Sequence, residues 1–521
     1  MTKESLNKSV RAEPFDFAQD RLVEAHPASA RGASSWLRTG FDKLSPNGGV
    51  LFSKSALALA LLALGACSLA PEYTRPPLPV EAQWPASPMA TPPMAAQVAG
   101  GASAVDWQTF FPDPRLQGLI AAALDHNRDM RVAVARVAEA RALHGIQDSA
   151  RLPNVDLSLG RTASRLPADA ARLPRDAETS YYAGNLNLLS FELDFWGRVK
   201  NLSAAALANY LATDDARRAF RLSLIADVAD AYLGLQELDE RATLARDTVR
   251  SRGETRTLIA LRREVGIAGD LDFLQADAAY ETARADVASI ERQRAAAANA
   301  LTLLVGTVPA GLPPARPLAG QAIPALAAGL PADVLLRRPD VLAAEQRLIA
   351  ANANIGAARA AFLPRITLTG AFGSASSSLS GLFKGGTEAW SFQPALRQPL
   401  FDAGSNAANL DLAEARRVIA VAQYEQTIQQ AFREVADLLA ARDTLLEQLR
   451  AQDAVNARQS ERLRLTEARY KGGIASHLEL LDAQRESFAA EQNAVQVRRQ
   501  LLSTAARIYK ALGGDEAGRP G

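Results

Sequence analysis

Cysteine is nearly absent. Cys67 is the only one in 521 residues, so no disulfide can form within the chain. Proline is missing from two long stretches, Asp176–Val308 and Leu400–Arg519, and nothing there interrupts a helix. Aromatic residues make up only 6% of the chain, against abundant alanine and leucine-spaced charged tracts, which suits long packed helices. No charge of one sign dominates: 58 basic residues face 57 acidic ones, so nothing suggests nucleic acid or an acidic substrate as partner. Histidine is sparse and scattered (His26, His126, His144, His477), without metal-ligand spacing. With no Gly-rich phosphate loop and no serine elbow either, an enzyme is a poor expectation, and no cofactor or metal is expected.

The apolar run Ala56–Ala66 is too short to span a bilayer as a helix. Lys54 precedes it and small residues close it, as in a secretory signal. Its ending, Leu64-Gly65-Ala66-Cys67, resembles a bacterial lipobox, which implies cleavage before Cys67 and covalent lipid on that residue. Ser68 follows where an Asp would often mark inner-membrane retention, which implies export to the outer membrane. A signal peptide over 50–66 leaves 1–49 as an expected misassigned extension, with translation starting near Val50. Residues 67–114 are rich in proline and read as an extended arm.

The rest of the chain is two copies of one unit. Gly473-Ile474-Ala475 echoes Gly266-Ile267-Ala268, and Val435-Ala436-Asp437 echoes Val228-Ala229-Asp230, both at an offset of 207 (473 − 266 and 435 − 228). Each copy, 115–308 and 332–514, reads helix, strand, strand, long helix, turn, helix, with a linker at 309–331 and a tail at 515–521. The first helix is expected over Leu116–Ala150 and its counterpart over Asp333–Ala361. Strands are signalled by Val155, Leu157 and Leu159, by Leu186–Phe195, by Ile366–Phe372 and by Trp390–Phe401, with loops at Arg161–Ser180 and Gly373–Gly386. Gly197–Glu264 alone would be roughly 100 Å of helix. The glycines at the two turns are expected to take positive φ. After the second turn Ile474, Leu478, Asp482 and Arg485 share one helical face. From spacing alone, a core stripe ending in a surface ion pair is favoured for that face over a functional one.

Four strands cannot close a barrel, and open edges are prohibitive in a membrane. Partners must supply the rest, and three copies would give twelve strands.

A set of separated motifs carries a family resemblance: Pro71-Glu72-Tyr73, Phe110-Phe111-Pro112-Asp113, Asn127-Arg128-Asp129, Leu336-Arg337-Arg338-Pro339-Asp340, Phe362-Leu363-Pro364, Gln398-Pro399-Leu400-Phe401-Asp402 and Tyr509-Lys510-Ala511-Leu512-Gly513. The chain resembles the TolC-like outer-membrane efflux factors, in their NodT/OprM-like lipoprotein branch. The resemblance implies a mainly α protein with membrane β: a homotrimer whose twelve-stranded outer-membrane barrel continues into a periplasmic α-helical barrel. It implies a passive duct, lipid-anchored in a Gram-negative outer membrane, working with a periplasmic membrane-fusion adaptor and an inner-membrane RND-type pump. Ile474, Leu478, Asp482 and Arg485 match the closed periplasmic gate. The tips Val265, Gly266, Ile267 and Ala268 and, in the second copy, Gly472, Gly473, Ala475 and Ser476 match the adaptor contacts. An ordinary helix–helix turn remains the alternative at the first tip. A protein-secretion exit channel shares the fold, and a scaffold lipoprotein without a pore is a further rival, though the alternating strands argue against the latter.

Overall fold

The computed structural model describes residues 68–81, Trp84, 106–171, 174–321 and 332–514. Cys67, the extension 1–49, the signal segment 50–66 and the tail 515–521 lie outside them, as does 322–331 of the linker.

The first repeat begins with one helical turn at Trp107–Phe110, a departure from the extended arm expected through 114. It continues with α1 (Pro114–His126) and α2 (Arg128–Ser149), where one helix was expected. Asn127 makes the break. Its extended backbone ends α1, its side chain accepts from the Met130 amide to cap α2, and its Nδ2 donates to the Leu304 carbonyl 2.8 Å away. Strands β1 (Val155–Leu166) and β2 (Ala177–Glu192) follow. Then come α3 (Arg198–Glu264) and α4 (Asp270–Val305). The second repeat has the same order: α5 (Pro339–Ala360), β3 (Arg365–Ser376), β4 (Glu388–Arg397), α6 (Ser405–Lys471) and α7 (His477–Ala511). Ala332–Arg337, expected as α-helix, is 3-10, because Pro339 fixes the helix start at its first position.

The loops within each strand pair are shorter than polarity suggested. β1 and β2 take up half of Arg161–Ser180, and β3 reaches Ser376, three residues past Gly373. Backbone pairing carries these polar segments, since every residue of Val155–Leu166 has a partner in Ala177–Leu188. β4 stops at Arg397, short of the Phe401 expected, and Pro399 follows closely.

The four strands make one antiparallel sheet in the order β1-β2-β3-β4, so β1 and β4 are open edges. Leu157, Leu186, Phe372 and Trp390 form a row across all four strands. The next row, Asp156, Asn187, Ala371 and Ser391, lies on the opposite face. One face is therefore apolar and exposed, the other polar. No described helix is long and apolar enough to cross a membrane.

α3 and α6 are each 67 residues, about 100 Å long. Neither could stand alone, and each packs lengthwise: α3 against α2, α4, α5 and α7, and α6 against α5 and α7. One apolar core gathers Ile120, Ile225, Tyr232, Val305 and Tyr509, and a second gathers Leu335, Leu348, Tyr424 and Ile428. On α6, Ile428 and Val435, seven residues apart, both enter that second core. Beside it Arg338, 5% exposed, donates to Asp340, to Glu434 of α6 at 2.9 Å and to the Ala511 carbonyl of α7 at 2.7 Å. Burial alone would push the Asp340 carboxyl up; the guanidinium overrides it and holds the group below its ordinary range.

The arm runs along α5. Tyr73 Oη and the Arg75 fork both reach Glu345, at 2.9 Å and at 2.7 and 2.8 Å. Asn352 Nδ2 donates to the Pro71 carbonyl at 2.7 Å. A Cβ on Gly356 would meet the Ala70 amide at 2.6 Å, so only glycine admits the arm there. Ser68 Oγ donates to Asn201 on the first turn of α3. The arm thus begins where the helices meet the sheet.

Candidate functional site

The end of the molecule away from the sheet consists of two helix hairpins. Gly266 (φ 74°) and Gly473 (φ 73°) take the left-handed conformation expected of them. In each turn an amide reaches back five residues, Ile267 to the Arg262 carbonyl and Ile474 to the Arg469 carbonyl, both at 2.8 Å. These are glycine-terminated helix ends of one design, built twice. Ser476 caps α7 through the Glu479 amide.

Of the residues assigned to the gate, Ile474 is exposed and Leu478 is 64% exposed, which is unlike a core stripe within one chain. The Asp482 side chain is 39% exposed and doubly held: Arg485 Nη2 lies 2.8 Å from Oδ1, as its spacing suggested, and Arg462 Nη2 lies 2.6 Å from Oδ2. Arg462 was missed in the sequence. It lies on α6, ten residues before Gly472, while Asp482 lies ten residues after it. Equidistance from a turn glycine is the signal that finds such a pair in a hairpin.

The first hairpin has Gln275 where Asp482 would fall (482 − 207), as expected. It nevertheless carries its own tie, Arg256 Nε to Asp277 Oδ1 at 2.5 Å. It also exposes Leu271, the counterpart of Leu478 at the same offset. Val265 and Ile267 are exposed at the first tip, as are Gly472, Gly473 and Ser476 at the second. Ala475 differs from the tip contact expected of it, because its side chain is buried and packs inward.

The two hairpins meet at Tyr470. Arg262 lies 5.4 Å from its ring centre and Nη1 donates to its Oη at 3.3 Å. On its other side Tyr470 meets His477, ring centres 6.0 Å apart. His477, given no role from sequence, is 8% exposed, and neither ring nitrogen has a hydrogen-bond partner. Burial pushes its pKa below 6.5, with Asp272 opposing the shift. The folded tip therefore holds the imidazole neutral. Above 6.5 the ring is neutral folded or unfolded and costs nothing; as pH falls below 6.5 the open state takes a proton that the closed tip refuses, and stability is lost. Protection of the 470–477 amides, taken relative to their intrinsic exchange rates, should fall as the pH drops below 6.5. His477→Phe should flatten that dependence.

A sheet with one apolar face and two open edges, joined to paired helices of about 100 Å, defines a subunit of an outer-membrane channel. The comparisons agree. The family model described as "Outer membrane efflux protein" matches residues 119–307 and 330–514. The chain is 47% identical over 469 residues to a toluene efflux pump outer membrane protein, TtgF of Pseudomonas putida, covering 88% of this chain and 96% of that protein. It is 45% identical over 466 residues to outer membrane protein OprJ of Pseudomonas aeruginosa, covering 89% and 96%. The open state of the MtrE channel of Neisseria gonorrhoeae superposes with a TM-score of 0.77 at 38% identity, covering 86% of this chain and 98% of that one. The chain belongs to the outer membrane efflux protein family.

Proposed function

We propose that three copies of this chain form a passive exit duct of a tripartite efflux system for small toxic compounds. The observation that carries this reading is the open four-stranded sheet, whose exposed apolar face suits lipid and whose two edges demand partners. The helices continue the duct through the periplasm, and it needs no catalytic group. Threefold symmetry gathers Leu478 into an apolar ring that resists wetting and Asp482 into a ring of carboxylates favouring cations. Ile474 and Arg485 complete that gate. The tips Val265–Ala268 and Lys471–Ser476, exposed except at Ala475 and in part at Ala268, suit a periplasmic adaptor, with an RND-type pump below it as the source of energy. TtgF and OprJ, named for efflux and for the outer membrane, favour efflux over protein secretion.

Lipid on Cys67 fits the same picture, since Ser68, one residue on, is fixed beside Asn201 close to the sheet. Several acyl chains on one residue would give stable anchoring at that level.

Purified protein should run as a trimer, carry an acylated Cys67 by mass, and open conductances in planar bilayers. A deletion strain should become sensitive to some members of a panel of antibiotics, dyes, solvents and metals. A monomer that leaves vesicles sealed would reject the duct.

A further inference from the structure

The sheet has opposite charges at its two free edges. Arg397 ends β4 on the polar face, directly opposite Arg365 of β3. Like charges facing across strands destabilise a sheet. Arg365 has Glu192, 3.3 Å away, but Arg397 has no partner among the described residues. At the other edge Asp156 of β1 lies on the same polar face, and its Oδ1 is buried without a hydrogen bond. Near the opposite end of the strands β4 carries Glu388 and β1 carries Arg165, which leaves most of its side chain exposed while holding Asp176.

We infer that β4 of one copy pairs antiparallel with β1 of the next in a single register, which sets Arg397 against Asp156 and Glu388 against Arg165. The inference rests on the trimeric duct proposed above and specifies how its seams close. The spacing supports it: 397 − 388 and 165 − 156 are both nine, so one register satisfies both pairs. An odd slip would turn apolar side chains into the lumen. A two-residue slip keeps the faces but sets Arg397 against Ser158 or Asn154 and loses both ion pairs. The same register lays Leu396 beside Leu157 on the apolar face.

The stagger agrees. A row of strand partners runs Val155, Leu188, Gly370, Phe392. In this register the row continues onto Arg161 of the next copy, a rise of six residues (161 − 155). Three copies of that rise over twelve strands tilt the strands by about 46°, close to the ~45° of membrane strands. Slips of two residues give about 35° or about 54° by the same geometry.

Cysteine pairs test it, because the chain has no cysteine but Cys67. Ser158→Cys with Ala395→Cys places facing positions across the seam. Gly160→Cys or Asp156→Cys with Ala395→Cys represents the slipped registers. Under mild oxidation the first pair should give covalent dimers and trimers severalfold faster than either slipped pair. Asp156→Arg should lower the temperature at which the trimer survives detergent, and Asp156→Arg with Arg397→Asp should restore it. A trimer that crosslinks equally or better in a slipped pair overturns the register while leaving the duct intact. Absence of a trimer in unmodified protein overturns the duct itself.

Discussion

With Asp482 in the proposed gate, Asp482→Ala should favour the open channel. Each copy loses two ion pairs, one to Arg462 of α6 that ties the second hairpin across its helices and one to Arg485 within α7. The groups are well exposed, so each carboxylate is worth about 0.5–1 kcal/mol to the closed state. Three copies sum to roughly 1.5–3 kcal/mol, which is about ten- to a hundredfold in the ratio of closed to open channels. Single-channel recording should show longer openings and reduced cation preference. Arg462→Ala should lengthen openings while keeping the carboxylate ring, and therefore the cation preference. That split separates the tie from the charge. Unchanged conductance in both variants would remove Asp482 and Arg462 from gating.

Arg338→Ala should destabilise the region around α5. The guanidinium is almost wholly buried and serves Asp340, Glu434 and the Ala511 carbonyl at once. Removing it leaves the buried Ala511 carbonyl without its donor and exposes the half-exposed carboxylates of Asp340 and Glu434 to water, at a cost of about 1–3 kcal/mol. Arg338→Lys keeps the charge but not the fork, and should retain only part of that stability. Denaturant midpoints of the two variants, read against the unmodified protein, check the order. Equal midpoints for Ala and the unmodified chain would show the cluster to be neutral.

Much of this architecture was legible in the sequence because it rests on repetition and on punctuation. The proline-free tracts located the first long helix almost to the residue, whereas the second was read only as a tract from Leu400 to the turn at Gly472. Gly266 and Gly473 marked the turns because positive φ leaves few alternatives to glycine. The failures came where a local signal competes with a distant partner. Arg161–Leu166 and Ala177–Ser180 are polar, and only cross-strand pairing makes them strand. Asn127 breaks a helix that its neighbours would continue, through a bond to Leu304 in another element. Arg462 is one of many arginines on α6 until the fold brings Asp482 beside it. His477 reads as one more polar residue near a turn, and only the packing of Tyr470 shows that it is buried.

The matched lengths of α3 and α6 have one more consequence. Both start beside the sheet and both run 67 residues, so the two tips of each copy finish level. A seven-residue insertion in one alone would leave its tip about 10 Å ahead of the other, like a stool with one long leg. Lengthening such a chain therefore has to happen twice, in step, in segments that share almost no wording.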